Sequence, residues 1–167
     1  KYHFKINAGF SFAEINPSDY AGLILPGGKA PERIRQFESV CKLISEFNRL
    51  QKPIAAICHG QQLLISAGVL KGKRATCYPG IRDDLKNAGA IYEDSCVVIC
   101  DYLVTSRRPE DLPHFMKAFL SLLQLSLIHI SEPTRQIEKS LYERKCIYGH
   151  QHNARSVPCS VWRIRLS

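Results

Sequence analysis

The sequence lacks any run of 18 or more apolar residues, so it contains no segment typical of a membrane-spanning helix. It begins at Lys1 with neither an initiator Met nor a signal-peptide pattern, so we expect a fragment of a cytoplasmic protein. It also lacks a basic stripe with interleaved aromatic residues in its first 124 residues, which argues against a nucleic-acid partner. Those 124 residues carry 16 basic and 12 acidic side chains, whereas residues 125–167 carry 7 and 3. Half of the net charge of +8 therefore lies in the last quarter of the chain.

The seven cysteines do not form a regular framework, because their number is odd and their spacings are irregular. This usage is typical of a reducing cytosol rather than of a disulfide-bonded secreted protein. Cys96 and Cys100 are expected to be two buried thiols on one face of a strand. Cys146, His150 and His152 near the end of the chain do not make a convincing metal site. We expect no metal and no other cofactor.

Short apolar runs alternate with amphipathic segments, which predicts an α/β fold with a mostly parallel sheet and helices on both faces. The composition, 45% hydrophobic and 23% charged, is ordinary for one globular domain of this size. Predicted strands are KYHFKINAGFSF, with Tyr2, Phe4 and Ile6 on one face, then GLIL, KPIAAI, KRATCY and a pair in SCVVICDYLVTS with Asp101 at the turn. A helix opened by Pro31 is expected to bury Ile34, Phe37, Cys41, Ile44 and Phe47. Another is expected to bury Leu112, Phe115, Phe119 and Leu122 or Leu123.

The stretch KPIAAICHGQQLL places Cys58 where a buried strand ends and a helix begins. Small residues flank it, with Ala56 two positions before and Gly60 two after, as a sharp strand-to-helix elbow requires. The backbone N–H of His59 is expected at the position of an oxyanion, and the N–H groups at the helix start favour a thiolate. The LPGG loop offers a second donor through Gly28. The alternative for Cys58 is a buried structural thiol.

Four segments together resemble the PfpI branch of the DJ/PfpI superfamily: LILPGGKAPERIR, KPIAAICHGQQLLISAGVLKGK, CYPGIRDDLKNAG and LVTSRRPEDLPHFMKAF. The resemblance is continuous from about Lys1 to Leu123. It implies a flavodoxin-like sandwich related to class I glutamine amidotransferases. Members of the family are described as intracellular cysteine peptidases, glyoxalase-III-type enzymes, deglycases and stress chaperones.

By that resemblance Cys58 is the nucleophile, His59 the base, and Glu32 the acid that orients the histidine from a neighbouring subunit. The resemblance thus implies a homo-oligomer with its site at a subunit interface. Gly28 and His59 would supply the oxyanion hole, and Gly27 and Tyr78 would contact a small carbonyl substrate or a peptide. The alternatives from the residues alone are a helix first-turn carboxylate for Glu32 and a strand aromatic for Tyr78.

The chain departs from the family at both ends. No residue matches the glutamate that the family's first strand supplies to the thiol, so we expect the domain of residues 1–124 to be incomplete at its N-terminus. Residues Leu125 to Arg135, LSLIHISEPTR, resemble the translation of a transposase adapter used in sequencing libraries. Residues 125–167 are therefore expected to be a non-native tail.

Three classes of function remain open for the sequence. The leading hypothesis is a cysteine-nucleophile enzyme that attacks a carbonyl carbon and forms a thiohemiacetal or a thioester. An amidotransferase glutaminase is disfavoured, because none of the candidate histidines is followed two residues later by Glu. A redox sensor or chaperone-like stress protein, or an inactive fragment, is the alternative.

Overall fold

A computed structural model describes residues 7–131 of the 167-residue chain. Its strands are β1 (Leu23–Leu25), β2 (Ile54–Ile57), β3 (Arg74–Ala75), β4 (Ile91–Tyr92), β5 (Val97–Cys100) and β6 (Leu103–Ser106). Its α-helices are α1 (Ala30–Ile34), α2 (Glu38–Arg49), α3 (Gln61–Ser66), α4 (Arg82–Asn87) and α5 (Leu112–Ser131). Among the residues so described, no helix combines the length and the apolar character needed to cross a membrane.

The main sheet has the order β1-β2-β6-β5, in which β1, β2 and β6 are parallel and β5 is antiparallel to β6. Strands β3 and β4 form a second, two-stranded parallel sheet. Side chains of a strand alternate between its two faces, and β2 is buried on both. Ile54 and Ala56 belong to a core with α2, α3 and α4, whereas Ala55 and Ile57 belong to a core with α5. The predicted α/β fold with helices on both faces is confirmed.

The helix predicted from Pro31 is divided in two. Ile44 and Phe47 are buried as predicted and Ile34 is half-buried, whereas the burial expected for Phe37 and Cys41 is wrong. Phe37 adopts an extended conformation, with φ −86° and ψ 120°, and its side chain is 57% exposed. Cys41 is only half-buried. Because α2 begins again after this break, its buried positions are not those of one continuous stripe from Pro31. They are Val40, Leu43, Ile44 and Phe47.

Helix α5 buries Phe115 and Phe119 as predicted, but Leu112 is 41% exposed, so that part of the prediction is wrong. The buried face begins instead at Asp111, which lies four residues before Phe115 and eight before Phe119. Residues four apart share one face of a helix, and Leu112 is rotated away from it. The helix continues past Leu125 to Ser131.

Other local predictions have mixed outcomes. The turn at Asp101 between β5 and β6 is confirmed, and Asp101 has φ 54° there. Cys96 and Cys100 are half-buried rather than buried, and Cys96 lies outside β5. The strand predicted at KRATCY is limited to the two residues of β3. The predicted face formed by Tyr2, Phe4 and Ile6 lies outside the described residues, as do the tail residues Cys146, His150 and His152. The rest of that predicted strand is wrong, because residues 7–12 form bends and turns.

Candidate active site

Cys58 lies at the carboxyl end of the central strand β2, at the point where the chain turns into a helix. Its backbone has φ +62°, a left-handed conformation that is uncommon for a residue with a side chain. One 3₁₀ turn, Cys58–Gly60, follows and leads directly into α3. The predicted strand-to-helix elbow is therefore present, with Cys58 at its strained position.

The elbow is sharp because two glycines allow close backbone contacts. A Cβ atom on Gly60 would collide with the carbonyl oxygen of Leu25 at the end of β1. A Cβ atom on Gly27 would lie 2.8 Å from Cβ of Cys58 and 3.1 Å from the carbonyl oxygen of Ile57. Glycine at both positions therefore lets the loop after β1 pass directly beside the thiol.

The His59 side chain lies between Cys58 and Tyr78. Its Nδ1 is 3.3 Å from Sγ of Cys58, and its ring stacks on that of Tyr78 with centroids 4.8 Å apart and an angle of 27° between the planes. The backbone N–H of Tyr78 donates a hydrogen bond of 3.4 Å to the carbonyl oxygen of Cys58. Cys58, His59 and Tyr78, separated by up to 20 positions in the sequence, thus form one contiguous group.

Two further predicted site residues, Gly28 and Glu32, differ in how they are placed relative to this group. Gly28 has φ +82° in the loop that contacts the elbow, and, apart from its two chain neighbours, no residue of the described range 7–131 comes within 4 Å of a Cβ built on it. Glu32 lies exposed in the first turn of α1, a helix that packs against the 3₁₀ turn at Cys58. Within the described residues of the single chain, Glu32 makes no hydrogen bond to His59.

Cys58 is half-buried, whereas a second thiol nearby, Cys77, is fully buried in the core. Burial raises the pKa of Cys77 from 9.0 to about 12, and the negative charge of Asp84 adds to the shift. Cys77 therefore stays protonated at neutral pH and is a poor nucleophile. Of these two neighbouring thiols, Cys58 is the one that solvent reaches.

Two polar features beside the elbow were missed by the sequence analysis. Arg107 follows β6 at the same sheet edge as Cys58, since Ile57 and Ser106 are partners in the parallel register. Its guanidinium lies 2.8 Å from Asp94 and 3.3 Å from Asp111, and these hydrogen bonds, chiefly the one with Asp94, raise its pKa. The motif SRRPED could have suggested that Arg107 pairs with Asp111, but nothing in it points to the second partner, Asp94.

The other missed feature is Gln61, the first residue of α3, whose side chain is fully buried and donates to carbonyl groups of three separate segments. A glutamine at the start of a helix gives no signal of such burial, because glutamine is usually exposed. Within residues 7–131, no cluster of three or more His, Cys, Asp and Glu side chains could hold a metal ion.

A family model described as the DJ-1/PfpI family matches residues 1–122. The chain belongs to this family, and the resemblance found in its motifs is confirmed. A deglycase of Pyrococcus abyssi is 46% identical over 124 residues, which are 74% of this chain and 75% of that protein. The protein/nucleic acid deglycase 2 of Escherichia coli is 45% identical over 114 residues, which are 68% of this chain and 66% of that protein.

A crystal structure of a two-domain protein from Anabaena variabilis, with DJ-1/ThiJ/PfpI-like and ferritin-like domains, is similar to the present structure. The TM-score is 0.67 at 39% sequence identity, and the match covers 68% of this chain. The chain spans about a third of that protein, since the match covers 32% of it. The predicted fold class is thereby confirmed. The names of the Pyrococcus abyssi and Escherichia coli relatives describe enzymes and do not favour the alternative of a redox sensor or chaperone.

Proposed function

We propose that the chain is the catalytic part of a cysteine-dependent enzyme of the PfpI type that acts on carbonyl compounds, with Cys58 as its nucleophile. The observation that carries the proposal is the contact of 3.3 Å between Sγ of Cys58 and Nδ1 of His59 at a left-handed elbow. A nucleophile beside a base is the arrangement that covalent catalysis requires. The carboxyl edge of a parallel sheet is the place where open α/β folds bind their ligands.

In the proposed reaction His59 takes the proton of the Cys58 thiol, and the sulfur attacks the carbonyl carbon of the substrate. A C–S bond forms, and the electron pair of the C=O bond moves to the oxygen. An aldehyde gives a thiohemiacetal once the oxygen is protonated by His59. An acyl centre gives a thioester when the leaving group departs with that proton, and water then hydrolyses the thioester.

The oxyanion is assigned to the backbone N–H groups of Gly28 and His59, with Gly27 leaving room for the substrate beside the sulfur. The open space around Gly28 and the close contact between Gly27 and Cys58 support this assignment. The ring of Tyr78, 39% exposed, would form one wall of the substrate site. No metal or organic cofactor is needed for these steps.

Glu32 is proposed to orient the imidazole of His59 in a second copy of the chain. The exposure of Glu32 and the contact of α1 with the elbow support this role. A third group that holds the histidine is the usual requirement of such a site. The active form is then a homo-oligomer whose sites lie at subunit interfaces.

In this proposal residues 1–124 form the catalytic domain and residues 125–167 are a tail without a role in it. The protein is proposed to be located in the cytoplasm. Small glyoxal-type aldehydes and glycated amines are the first substrates to test, with peptides second. The name of the Escherichia coli relative adds nucleic acids to this set.

The experiment is turnover of methylglyoxal by the full chain, with formation of lactate measured over time. We expect Cys58→Ala to abolish turnover, while Cys41→Ala, a half-buried thiol on α2, leaves it unchanged. Turnover that survives in Cys58→Ala would remove this cysteine from the mechanism. An unaltered chain that converts neither methylglyoxal nor a glycated amine nor a peptide would overturn the proposed function.

A further inference from the structure

Gln61 is a buried polar side chain with an unusual set of partners. Its exposure is 0%, and it lies three residues after Cys58 at the start of α3. Its Nε2 lies 3.1 Å from the carbonyl oxygen of Ala56, 2.9 Å from that of Thr76 and 2.8 Å from that of Ser106. Because an amide nitrogen carries two hydrogens, at least one of them is shared by two carbonyl groups.

The three carbonyl groups belong to segments that lead to residues of the candidate site or pair with β2. Ala56 lies in β2, two residues before Cys58, and Thr76 follows β3 two residues before Tyr78. Ser106 is the last residue of β6, which pairs with β2 on the side opposite to β1. One side chain therefore joins the carboxyl ends of three strands directly behind the elbow.

The orientation of the amide is determined by these contacts. If the amide were reversed, Oε1 would face three carbonyl oxygens, which is unfavourable because none of them can donate a hydrogen bond. In the observed orientation Oε1 is buried without a partner among the described residues. Leaving a buried acceptor unpaired is costly, so the structure tolerates this cost to keep Nε2 on the strand ends.

We infer that Gln61 is a positioning residue that holds the Cys58 elbow and the Tyr78 loop in fixed register through the carbonyl groups of Ala56 and Thr76. A left-handed residue such as Cys58 persists only when its surroundings prevent it from relaxing. Without the amide, the ends of β2 and β3 lose their shared donor. Cys58 can then relax, and the rings of His59 and Tyr78 can separate.

This inference rests on the reaction proposed for Cys58, but two of its measurements need no substrate. Lys52 offers a matched control, because its Nζ also donates to three backbone carbonyl groups, at 2.7, 2.9 and 2.6 Å. These groups belong to Pro17, Ser18 and Tyr20, near the opposite end of β2. Lys52→Met and Gln61→Met therefore remove comparable sets of hydrogen bonds at the two ends of one strand.

The experiment measures kcat and KM for methylglyoxal and, separately, the rate at which iodoacetamide alkylates Cys58. For Gln61→Met we expect about a tenfold loss in kcat and in alkylation rate with KM little changed, because positioning acts on the reacting atoms. Lys52→Met should lower the melting temperature but leave kcat and the alkylation rate as they are. Equal losses in both variants, or no loss in Gln61→Met, would overturn the inference.

A measurement on the unaltered chain covers the case in which Gln61→Met does not fold. In nitrogen-15 NMR spectra the side-chain amide protons of Gln61 should exchange with solvent far more slowly than those of the exposed Gln36. Their resonances should also shift when Cys58 is alkylated. Exchange as fast as that of Gln36, or no shift, contradicts the inference. Absence of turnover in the unaltered chain, by contrast, contradicts only the proposed function, and the alkylation and NMR results still decide the role of Gln61.

Discussion

The thiol of Cys58 and the imidazole of His59 are in contact, with Sγ and Nδ1 3.3 Å apart, although the two residues are adjacent in the sequence. Adjacent side chains on a strand point to opposite faces. Here the left-handed conformation of Cys58 ends the strand, and the 3₁₀ turn brings the next side chain back toward it. A histidine adjacent in sequence to the cysteine therefore reaches its thiol.

Gly27→Ala tests whether the loop after β1 must pass close to the thiol. The added methyl group would lie 2.8 Å from Cβ of Cys58, so either the loop or the elbow must move. We expect kcat/KM to fall about tenfold or more and stability by about 1–3 kcal/mol. Gly9→Ala is the control, since, among the residues that the structure describes, only its chain neighbours lie within 4 Å of a Cβ there. Steady-state kinetics measures the first effect and thermal melting the second. Full activity in Gly27→Ala would contradict the proposal that Gly27 leaves room for the substrate beside the sulfur.

Tyr78→Phe and Tyr78→Ala separate the ring of Tyr78 from its hydroxyl group. The phenylalanine variant keeps the stack on His59, so its activity should stay near that of the unaltered chain. The alanine variant loses an aromatic contact of about 0.5–1.5 kcal/mol, which corresponds to roughly a 2- to 12-fold loss in kcat/KM. Tyr20→Ala is a matched control, because Tyr20 is 40% exposed and Tyr78 39%. A large loss in Tyr78→Phe would instead assign a role to the hydroxyl group.

Glu32→Gln tests the proposed contribution of a second subunit. The variant should fold normally, because Glu32 is exposed, and should have little activity alone. Mixing it with Cys58→Ala under conditions of subunit exchange should restore activity, since a mixed dimer contains one complete site. Random exchange predicts about a quarter of the unaltered activity for a dimer. The matched control is Glu38→Gln, which changes another exposed first-turn carboxylate, on α2. If mixing restores nothing, Glu32 does not act across an interface.

Stability should decline at high pH because Cys77 is buried. Burial raises the pKa of Cys77 to about 12 in the folded chain, against 9.0 for the free thiol. Below pH 9 the thiol keeps its proton in both the folded and the unfolded chain, so its burial does not make the free energy of unfolding depend on pH. Between pH 9 and 12 only the unfolded state loses the proton, so the free energy of unfolding falls by up to about 1.4 kcal/mol per pH unit.

Urea unfolding at several pH values between 7 and 10.5 measures this slope. Cys77→Ala should make the decline shallower, whereas Val98→Ala, which also opens a small cavity in the core, should leave the slope as it is. The same slope in Cys77→Ala and in the unaltered chain would assign the alkaline decline to other groups.

Features that depend on a few neighbouring residues were predictable from the sequence. The buried strand before Cys58 and the turn at Asp101 are local patterns that the structure bears out. The periodicity predicted the burial of Ile44 and Phe47 on α2, but not the exposure of Phe37, because that depends on the break in the helix there. The exposure of Leu112 was also missed, because the inward face of α5 starts at the buried Asp111, whose carboxylate pairs with Arg107.

The sequence by itself determined the family, the strand-to-helix elbow and the residue pair at its tip, because small residues around a cysteine after an apolar run specify that turn locally. Only the tertiary structure decided what lies behind the elbow. The carbonyl groups that meet at Gln61 come from residues 5, 15 and 45 positions away. Backbone carbonyl groups are present at every residue and leave no mark in the sequence, so their convergence on one amide appears only when the strands are assembled side by side.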